Sequence, residues 1–270
     1  MMSKEQESRL SKEQYAQSKS WTKKFPDKNI NIKILRYHKS WKPLFDELFK
    51  DKKIENINKK LSLDMNKKLC PNPNYVFNAF HLTQFDELKV VIIGQDPYFG
   101  FELHDSNIVY QAMGLSFSVP DEFDIPSSLQ NIYSNLIKYK HIKTKPKSGN
   151  LENWARQGCL MLNSALTVIN GAENINCHKL IWKWFTDSII KYISDKKEHV
   201  IFVLWGASAL EKLNLIDLDK HEAIISSHPS GRSSSKPLKN YSAFNEQNHF
   251  GKINELLEKW CITPIDWNIE

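Results

Sequence analysis

Long apolar runs are absent from this sequence of 270 residues. No window approaches the roughly 20 apolar residues that a membrane-spanning helix requires, and residues 1–20 are too polar for a secretory signal peptide. We therefore expect an intracellular, non-secreted protein with no membrane contact, and the sequence does not choose between nucleus and cytoplasm. With 41% apolar and 25% charged residues, the chain has the composition of a globular protein with a sizeable core.

Cysteine and arginine are scarce. The four cysteines are dispersed without a C-x-x-C pair, which argues against a zinc ribbon, an iron–sulfur cluster and a disulfide framework. Only four of the 37 basic residues are arginine, so few bidentate phosphate contacts are available. The net charge of +6 suggests a nucleic-acid partner, but the excess lies in residues 1–69, and the remainder is slightly acidic. Charge by itself therefore does not establish DNA binding, because a lysine-rich coding bias explains it equally well.

The amino-terminal segment differs in composition from the rest. Residues 1–35 are basic and polar, which predicts a flexible tail rather than part of a core. From Trp41 to Phe49, apolar residues recur at spacings of three and four, as expected for an amphipathic helix. We therefore place one folded domain at residues 36–270.

Short apolar runs and helical stretches alternate through the folded domain. The runs are continuous, which is typical of strands covered on both faces. Together these segments predict an α/β fold, a three-layer α/β/α domain with a central, mostly parallel four-stranded sheet. The predicted strands are Val90–Ile93, Leu160–Leu162, Val200–Trp205 and Ala223–Ile225, and the predicted helices include Ser127–Lys140, 178–194 and His249–Trp260.

Polar residues follow each predicted strand, where open α/β sheets bind their ligands. Asp96 in a Gln-Asp-Pro sequence is either a turn residue or a carboxylate suited to act as a general base toward water or to stabilise a cation. His228 is either structural or a donor to a developing oxyanion. Asn163 either caps the next turn or reads an amide-like edge, and Phe117 belongs to the core by default.

Four motifs resemble those of family-1 uracil-DNA glycosylases in order and in strand-end position. Weaker matches extend the resemblance over roughly residues 40–270. The resemblance implies hydrolysis of the N-glycosidic bond between uracil and deoxyribose in base excision repair, leaving an abasic site without metal or cofactor. The motifs are Gly94-Gln-Asp-Pro-Tyr98, Gly114-Leu-Ser-Phe-Ser-Val119, Leu160-Met-Leu-Asn163 and His228-Pro-Ser230.

The resemblance implies a role for each strand-end residue. Asp96 positions water and stabilises the oxocarbenium ion, and His228 donates to the uracil O2 as its charge develops. Asn163 pairs with uracil O4 and N3–H, and Phe117 stacks on the extruded base. Tyr98 stands against C5 and excludes thymine by its methyl group. The side chain or backbone of Gln95 helps to hold the uracil.

The implied macromolecular partner is uracil-containing DNA, single- or double-stranded, bound by a monomer. Contacts to phosphates position the duplex without reading its sequence, and their number makes binding salt-dependent. A proteinaceous inhibitor or a replication partner is a further implied partner. The residues that match phosphate-side positions of the family are Ser128, His178, Ser208 and Ser230.

The sequence departs from the family pattern in two loops near the site. Phe99 stands where the family usually has His, and the insert Phe101–Tyr110 follows it. A polar contact near the water or a phosphate is therefore expected to be missing. We expect the insert to be a solvated loop, although His104 and Asp105 could supply that contact.

The residue that fills the stack vacated by the flipped base has two candidates. The family has a leucine shortly after the His-Pro-Ser motif. If the chain carries an insertion after Ser230, Leu238 restores that motif; without one, Arg232 takes the position and could fill the gap by stacking and by pairing with phosphate. We favour Leu238.

Two other classes of function remain open at this level. One is a DNA-binding or replication-accessory protein that keeps the glycosylase fold with weak or no catalysis. The other is a phosphate- or nucleotide-binding α/β protein, which is disfavoured because no Gly-rich phosphate loop follows a predicted strand.

Overall fold

The computed structural model describes residues 20–104 and 107–269. The strands are β1 Leu69–Cys70, β2 Val90–Gly94, β3 Phe101–His104, β4 Asn107–Tyr110, β5 Cys159–Asn163, β6 Val168–Ile169, β7 Ile201–Trp205 and β8 Glu222–Ser226. The α-helices that follow residues 20–24, themselves helical, are α1 Lys42–Leu48, α2 Lys53–Asp64, α3 Asn78–Leu82, α4 Ser127–Lys138, α5 Glu152–Arg156, α6 Lys179–Lys196, α7 Ala207–Leu210 and α8 His249–Lys259. Single 3-10 turns occupy Ile32–Ile34, Lys39–Trp41, Met65–Lys67, Ala172–Asn174, Leu213–Leu215 and Phe244–Glu246.

The four predicted strands form one parallel sheet in the order β5–β2–β7–β8. Every residue of β2, β5 and β7 is buried, because these continuous apolar strands are covered by helices on both faces. The predicted three-layer α/β/α class is confirmed. Since the strands run in parallel, their carboxyl ends lie at one edge, and Gly94 of β2 pairs with Asn163 of β5.

Core packing begins earlier in the chain than the composition predicted. Trp21 is buried and donates through Nε1 to the carbonyls of Leu69 and Pro71, each at 3.1 Å. Phe25 and Leu35 are also buried in the main core. The tail predicted over residues 1–35 is therefore wrong from Trp21 onward: these apolar residues are spaced too irregularly to give a periodic signal, yet they pack against the domain. Residues 1–19 lie outside the described residues.

The insert forms a β-hairpin rather than an irregular loop. Strands β3 and β4 pair in antiparallel fashion, with Phe101 opposite Tyr110, and Asp105 lies outside the described residues. Phe99 packs against the small cluster of Cys70, Tyr110 and Val168 beside the hairpin. These two departures from the family pattern are thus adjacent in space: Phe99 is an apolar contact of the inserted hairpin.

Among the described residues, no helix combines the length and apolarity that crossing a bilayer requires.

Candidate active site

The polar residues predicted to converge meet at the carboxyl edge of the sheet. Asn163 ends β5, Asp96 lies two residues beyond β2, and His228 lies two residues beyond β8. A cavity of about 690 Å³ opens at this edge. Its lining includes Gly94, Gln95, Ile175, Trp205, Gly206, Ser208, His228, Ser230 and Arg232.

Asp96 is half-buried and held from one side only. Its Oδ2 accepts a hydrogen bond from the Asn176 backbone N–H at 3.0 Å, with Gln95 Nε2 at 3.5 Å. Its Oδ1 is buried and has no hydrogen-bond partner in the described part of the chain. Burial raises the pKa of Asp96, although the hydrogen bonds from Asn176 and Gln95 and the charge of Lys179 lower it. This carboxylate keeps one acceptor oxygen without a partner among the described residues, as a general base requires.

Asn163 is buried at the end of β5, directly beside β2. A β-carbon on Gly94 would lie 2.3 Å from Asn163 Oδ1 and 2.7 Å from Ser116 Cβ. Glycine is therefore needed at residue 94, because the Asn163 amide occupies the space that any other side chain would fill. The Asn163 amide is thus buried in a position suited to form hydrogen bonds with the polar edge of a bound ligand.

The protonation of His228 follows from its hydrogen bonding. Its Nδ1 accepts a hydrogen bond from the Ser230 backbone N–H at 3.0 Å, so in the neutral ring the proton lies on Nε2. Burial lowers the pKa of His228 below its usual value. Gly206, at φ 92°, permits the approach, since a β-carbon there would lie 2.9 Å from His228 Cβ. The strand end thus presents a neutral imidazole with an Nε2–H donor.

Aromatic side chains form the wall beside the imidazole. The Phe117 ring centroid lies 5.7 Å from that of His228 and 5.7 Å from that of Trp205. Phe117 adopts a positive φ of 63° and is only 8% exposed, a strained backbone geometry that is concentrated at functional sites. Tyr98 is half-buried in the loop after β2, and burial raises the pKa of its hydroxyl. Phe117 is therefore at the site as well as in the core.

Asn176 is a site residue that sequence reasoning missed. Besides holding Asp96 through its N–H, it accepts a hydrogen bond at Oδ1 from Gln95 Nε2 at 2.8 Å. It adopts φ 66°, a left-handed conformation that Asn tolerates better than most residues. An Asn in the loop before α6 is the one signal that could have suggested it. The Gln95 side chain is consequently engaged with this loop.

Three of the predicted phosphate contacts lie around the same edge. Ser128 is half-buried in the first turn of α4, and Asn131 of that helix donates to the Pro229 carbonyl at 2.7 Å. Ser208 and Ser230 line the cavity. The Ser208 hydroxyl is buried without a hydrogen-bond partner among the described residues.

The predicted phosphate contact of His178 is wrong. This side chain is fully buried. Its Nδ1 lies 2.9 Å from Thr167 Oγ1, and its Nε2 lies 3.0 Å from Asp64 Oδ2. With both ring nitrogens occupied inside the protein, His178 cannot reach a phosphate.

Arg232 and Leu238, the two candidates to fill the space that the flipped base leaves in the DNA, lie in different environments. Arg232 is exposed and lines the cavity with His228. Leu238 is half-buried, does not line that cavity, and exchanges backbone hydrogen bonds of 2.9 and 2.8 Å with Tyr241. Of the two candidates, Arg232 and not the favoured Leu238 therefore lines the cavity.

A carboxylate, a neutral imidazole donor and a buried amide at one edge of the sheet suit a hydrolase that cleaves N-glycosyl bonds. Residues 80–258 match the description "Uracil DNA glycosylase superfamily". The chain belongs to this superfamily, whose uracil-DNA glycosylases are metal-independent base-excision repair hydrolases.

Several relatives cover nearly the whole chain. The probable uracil-DNA glycosylase of Acanthamoeba polyphaga mimivirus is 38% identical over 264 residues, covering 93% of this chain and 70% of that protein. The uracil-DNA glycosylase of Campylobacter curvus is 42% identical, covering 89% of this chain and 97% of that protein. The crystal structure of the mimivirus enzyme matches with a TM-score of 0.86 and 38% identity, over 92% of this chain and 93% of that one. A variant of the mimivirus enzyme has also been solved in complex with UGI.

Proposed function

We propose that this site hydrolyses the N-glycosidic bond of deoxyuridine in DNA, with Asp96 and His228 as the catalytic residues. The observation that carries the proposal is that one edge of the sheet offers both a hydrogen-bond acceptor and a hydrogen-bond donor. Asp96 has an acceptor oxygen without a partner among the described residues, and His228 has an Nε2–H donor. Bond cleavage gives the sugar positive charge and the uracil O2 negative charge. The carboxylate stabilises the first and directs water to it, and the imidazole donates to the second.

The buried amide and the aromatic wall support recognition of the base. Asn163 offers one acceptor and two donors to O4 and N3–H of an extruded uracil. The Phe117 ring stacks on the base, and Tyr98 stands against C5 and excludes the methyl group of thymine. Gln95, tied by its side chain to Asn176, holds the uracil through its backbone.

The rim of the cavity supports binding to the phosphate backbone. Ser128, Ser208 and Ser230 supply hydroxyl and backbone N–H donors, and Arg232 supplies charge. The partner is uracil-containing DNA, and the complex of the mimivirus relative with UGI supports a proteinaceous inhibitor as a second partner. None of the comparisons favours the alternative of a DNA-binding protein without catalysis.

The test of this function is release of free uracil from an oligonucleotide that contains one deoxyuridine. We expect release without added metal from both single and double strands. The absence of release across a range of salt concentrations, with binding of the oligonucleotide retained, would reject the enzymatic function.

The pH dependence of the rate follows from two pKa shifts. The active form needs Asp96 ionised. It also needs His228 neutral, because a ring protonated at Nδ1 cannot accept the Ser230 N–H that fixes its orientation. Burial raises the pKa of Asp96 above 3.8 and lowers that of His228 below 6.5, so both losses of activity occur on the acid side. We expect a constant single-turnover rate from about pH 7 to pH 8 and a fall on acidification.

The variant His228→Gln separates the two groups, since it keeps an N–H donor and cannot titrate. It should retain only the acid limb that belongs to Asp96. If the wild-type rate falls with a midpoint at or above pH 6.5 and this fall is absent in His228→Gln, the assignment of a neutral imidazole is contradicted.

Arg232 and Leu238 are distinguished by the strandedness of the substrate. Arg232→Ala should lower the rate by about 10- to 100-fold on duplex DNA, because one charge-assisted contact is worth roughly 1.5–3 kcal/mol. It should change the rate on single strands by less than about threefold, because no vacated stack needs filling there. Leu238→Ala is the matched control and should leave both rates within about twofold. Equal losses on both substrates for Arg232→Ala would remove it from this role.

A further inference from the structure

A buried chain of hydrogen bonds lies behind the loop that holds Asp96. Trp182 Nε1 donates to Thr167 Oγ1 at 2.7 Å. The Thr167 hydroxyl lies 2.9 Å from His178 Nδ1, and His178 Nε2 lies 3.0 Å from Asp64 Oδ2. All four side chains are essentially inaccessible to solvent. The chain therefore connects α6, the segment after β5 and the end of α2 through the interior.

The surroundings of these side chains determine which atoms donate hydrogen bonds and which accept them. Burial would raise the pKa of Asp64, but hydrogen bonds from Lys60, Lys67 and His178 lower it to about 2. Lys60 Nζ lies 2.6 Å from Oδ2 and Lys67 Nζ lies 2.9 Å from Oδ1. Burial lowers the pKa of His178, although the hydrogen bond and charge of Asp64 raise it. Thr167 Oγ1 already accepts from Trp182 Nε1, so its hydroxyl hydrogen is available to a neutral ring. The ring donates from Nε2 to the carboxylate and accepts at Nδ1 from Thr167.

The buried pair of His178 and Asp64 is called the anchor. His178 lies two residues after Asn176, whose backbone N–H holds Asp96. Asn176 donates its N–H to Asp96 Oδ2 at 3.0 Å while in a left-handed conformation, which persists only where the surroundings over-determine it. Cys177 contributes one restraint, because its Sγ accepts from the Ile169 N–H at 3.4 Å. His178, the next residue, contributes the buried restraint.

We propose that His178 and Asp64 are positioning residues for the reaction: they hold the loop so that the Asn176 N–H stays on Asp96 Oδ2 and leaves Oδ1 turned toward water. This inference rests on the proposed role of Asp96. Neither residue touches the substrate, so their effect is on the orientation and proton affinity of the carboxylate. A buried ion-paired carboxylate is suited to this task because removing one partner from such a network is costly.

His178→Phe tests the anchor by keeping a ring and removing both hydrogen bonds. We expect kcat for uracil release from a single-stranded oligonucleotide to fall about tenfold, since misplacement of a catalytic group by even 1 Å costs up to about 100-fold. KM should stay within about twofold. The acid limb of kcat should move to higher pH, because Asp96 loses the hydrogen bond that lowers its pKa.

The conservative variant His178→Gln should recover most of the rate, because its amide can still donate to Asp64. His221→Phe is the matched control. His221 is also buried, with Nδ1 accepting from the Val200 N–H at 3.2 Å and Nε2 lying 2.9 Å from the Ser194 carbonyl. It precedes β8 at the opposite end of the sheet, so its loss should lower the melting temperature without moving kcat or the acid limb.

Hydrogen exchange gives a readout that does not need activity. Exchange across residues 174–178 should accelerate in His178→Phe and remain unchanged in His221→Phe. If His178→Phe does not fold, Thr167→Val carries the test. It removes the hydroxyl that donates to Nδ1 and accepts from Trp182 Nε1, keeps the hydrogen bond of His178 to Asp64, and should produce a smaller change in the same direction.

Two results would overturn the proposal. One is a folded anchor variant with wild-type kcat, acid limb and exchange; the other is an equal loss of kcat in His221→Phe. Absence of uracil release by the unmodified protein would instead reject the proposed function, and the exchange comparison would still decide whether the anchor holds the loop.

Discussion

Asp96→Asn is expected to slow uracil release by about 10³-fold, within the range of about 10² to 10⁴ that a positioned base contributes. The amide retains the shape of the carboxylate, and its oxygen can still accept from the Asn176 N–H. It has no charge to stabilise the oxocarbenium ion and no basic oxygen to direct water. The measurement is the single-turnover rate of free uracil release from a single-stranded oligonucleotide with one deoxyuridine.

Folding should survive this change. Burial raises the pKa of Asp96, which means that the folded protein disfavours the charged form, so a neutral side chain does not lower stability through this term. The melting temperature and oligonucleotide affinity should therefore remain close to wild type. Asp219→Asn, at an exposed position near the opposite end of the sheet, is the matched control. A rate within tenfold of wild type for Asp96→Asn would refute the catalytic assignment.

Gly94→Ala is expected to lower kcat/KM by about 100-fold, although it adds a single methyl group. The new β-carbon would lie 2.3 Å from Asn163 Oδ1, and the amide is the movable partner. Rotating or shifting it leaves uracil with an unpaired polar edge in a buried site, and displacements of about 1 Å in a binding group cost this much. The measurement is uracil release over a range of substrate concentrations, with thermal unfolding in parallel.

Gly231→Ala provides the comparison, because a β-carbon there meets nothing within 4 Å. It should leave the rate on a single-stranded substrate within about twofold. Wild-type kinetics for Gly94→Ala would show that the Asn163 amide has room to adjust and would remove the steric argument.

The sheet and its functional edge were predictable from residue patterns. Continuous apolar runs such as Val90–Ile93 are strands because only a sheet covered on both faces buries them, and β2 begins at Val90 as expected and extends one residue further, to Gly94. Parallel strands bring their carboxyl ends to one edge, so Asp96, Asn163 and His228 converge there. The early core residues Trp21 and Phe25 escaped prediction because their burial depends on contacts with residues far along the chain.

The sequence alone determined the fold class, the family motifs and the side chains proposed to carry the chemistry, because hydrophobic periodicity and short motifs are local properties. Tertiary structure decided which of these residues are accessible: His178 is buried on Asp64, and Arg232 rather than Leu238 lines the cavity. It also decided proton placement, since the Nε2–H of His228 follows from a hydrogen bond at Nδ1. Accessibility and hydrogen-bond partners are set by residues distant in the chain, and no local pattern encodes them.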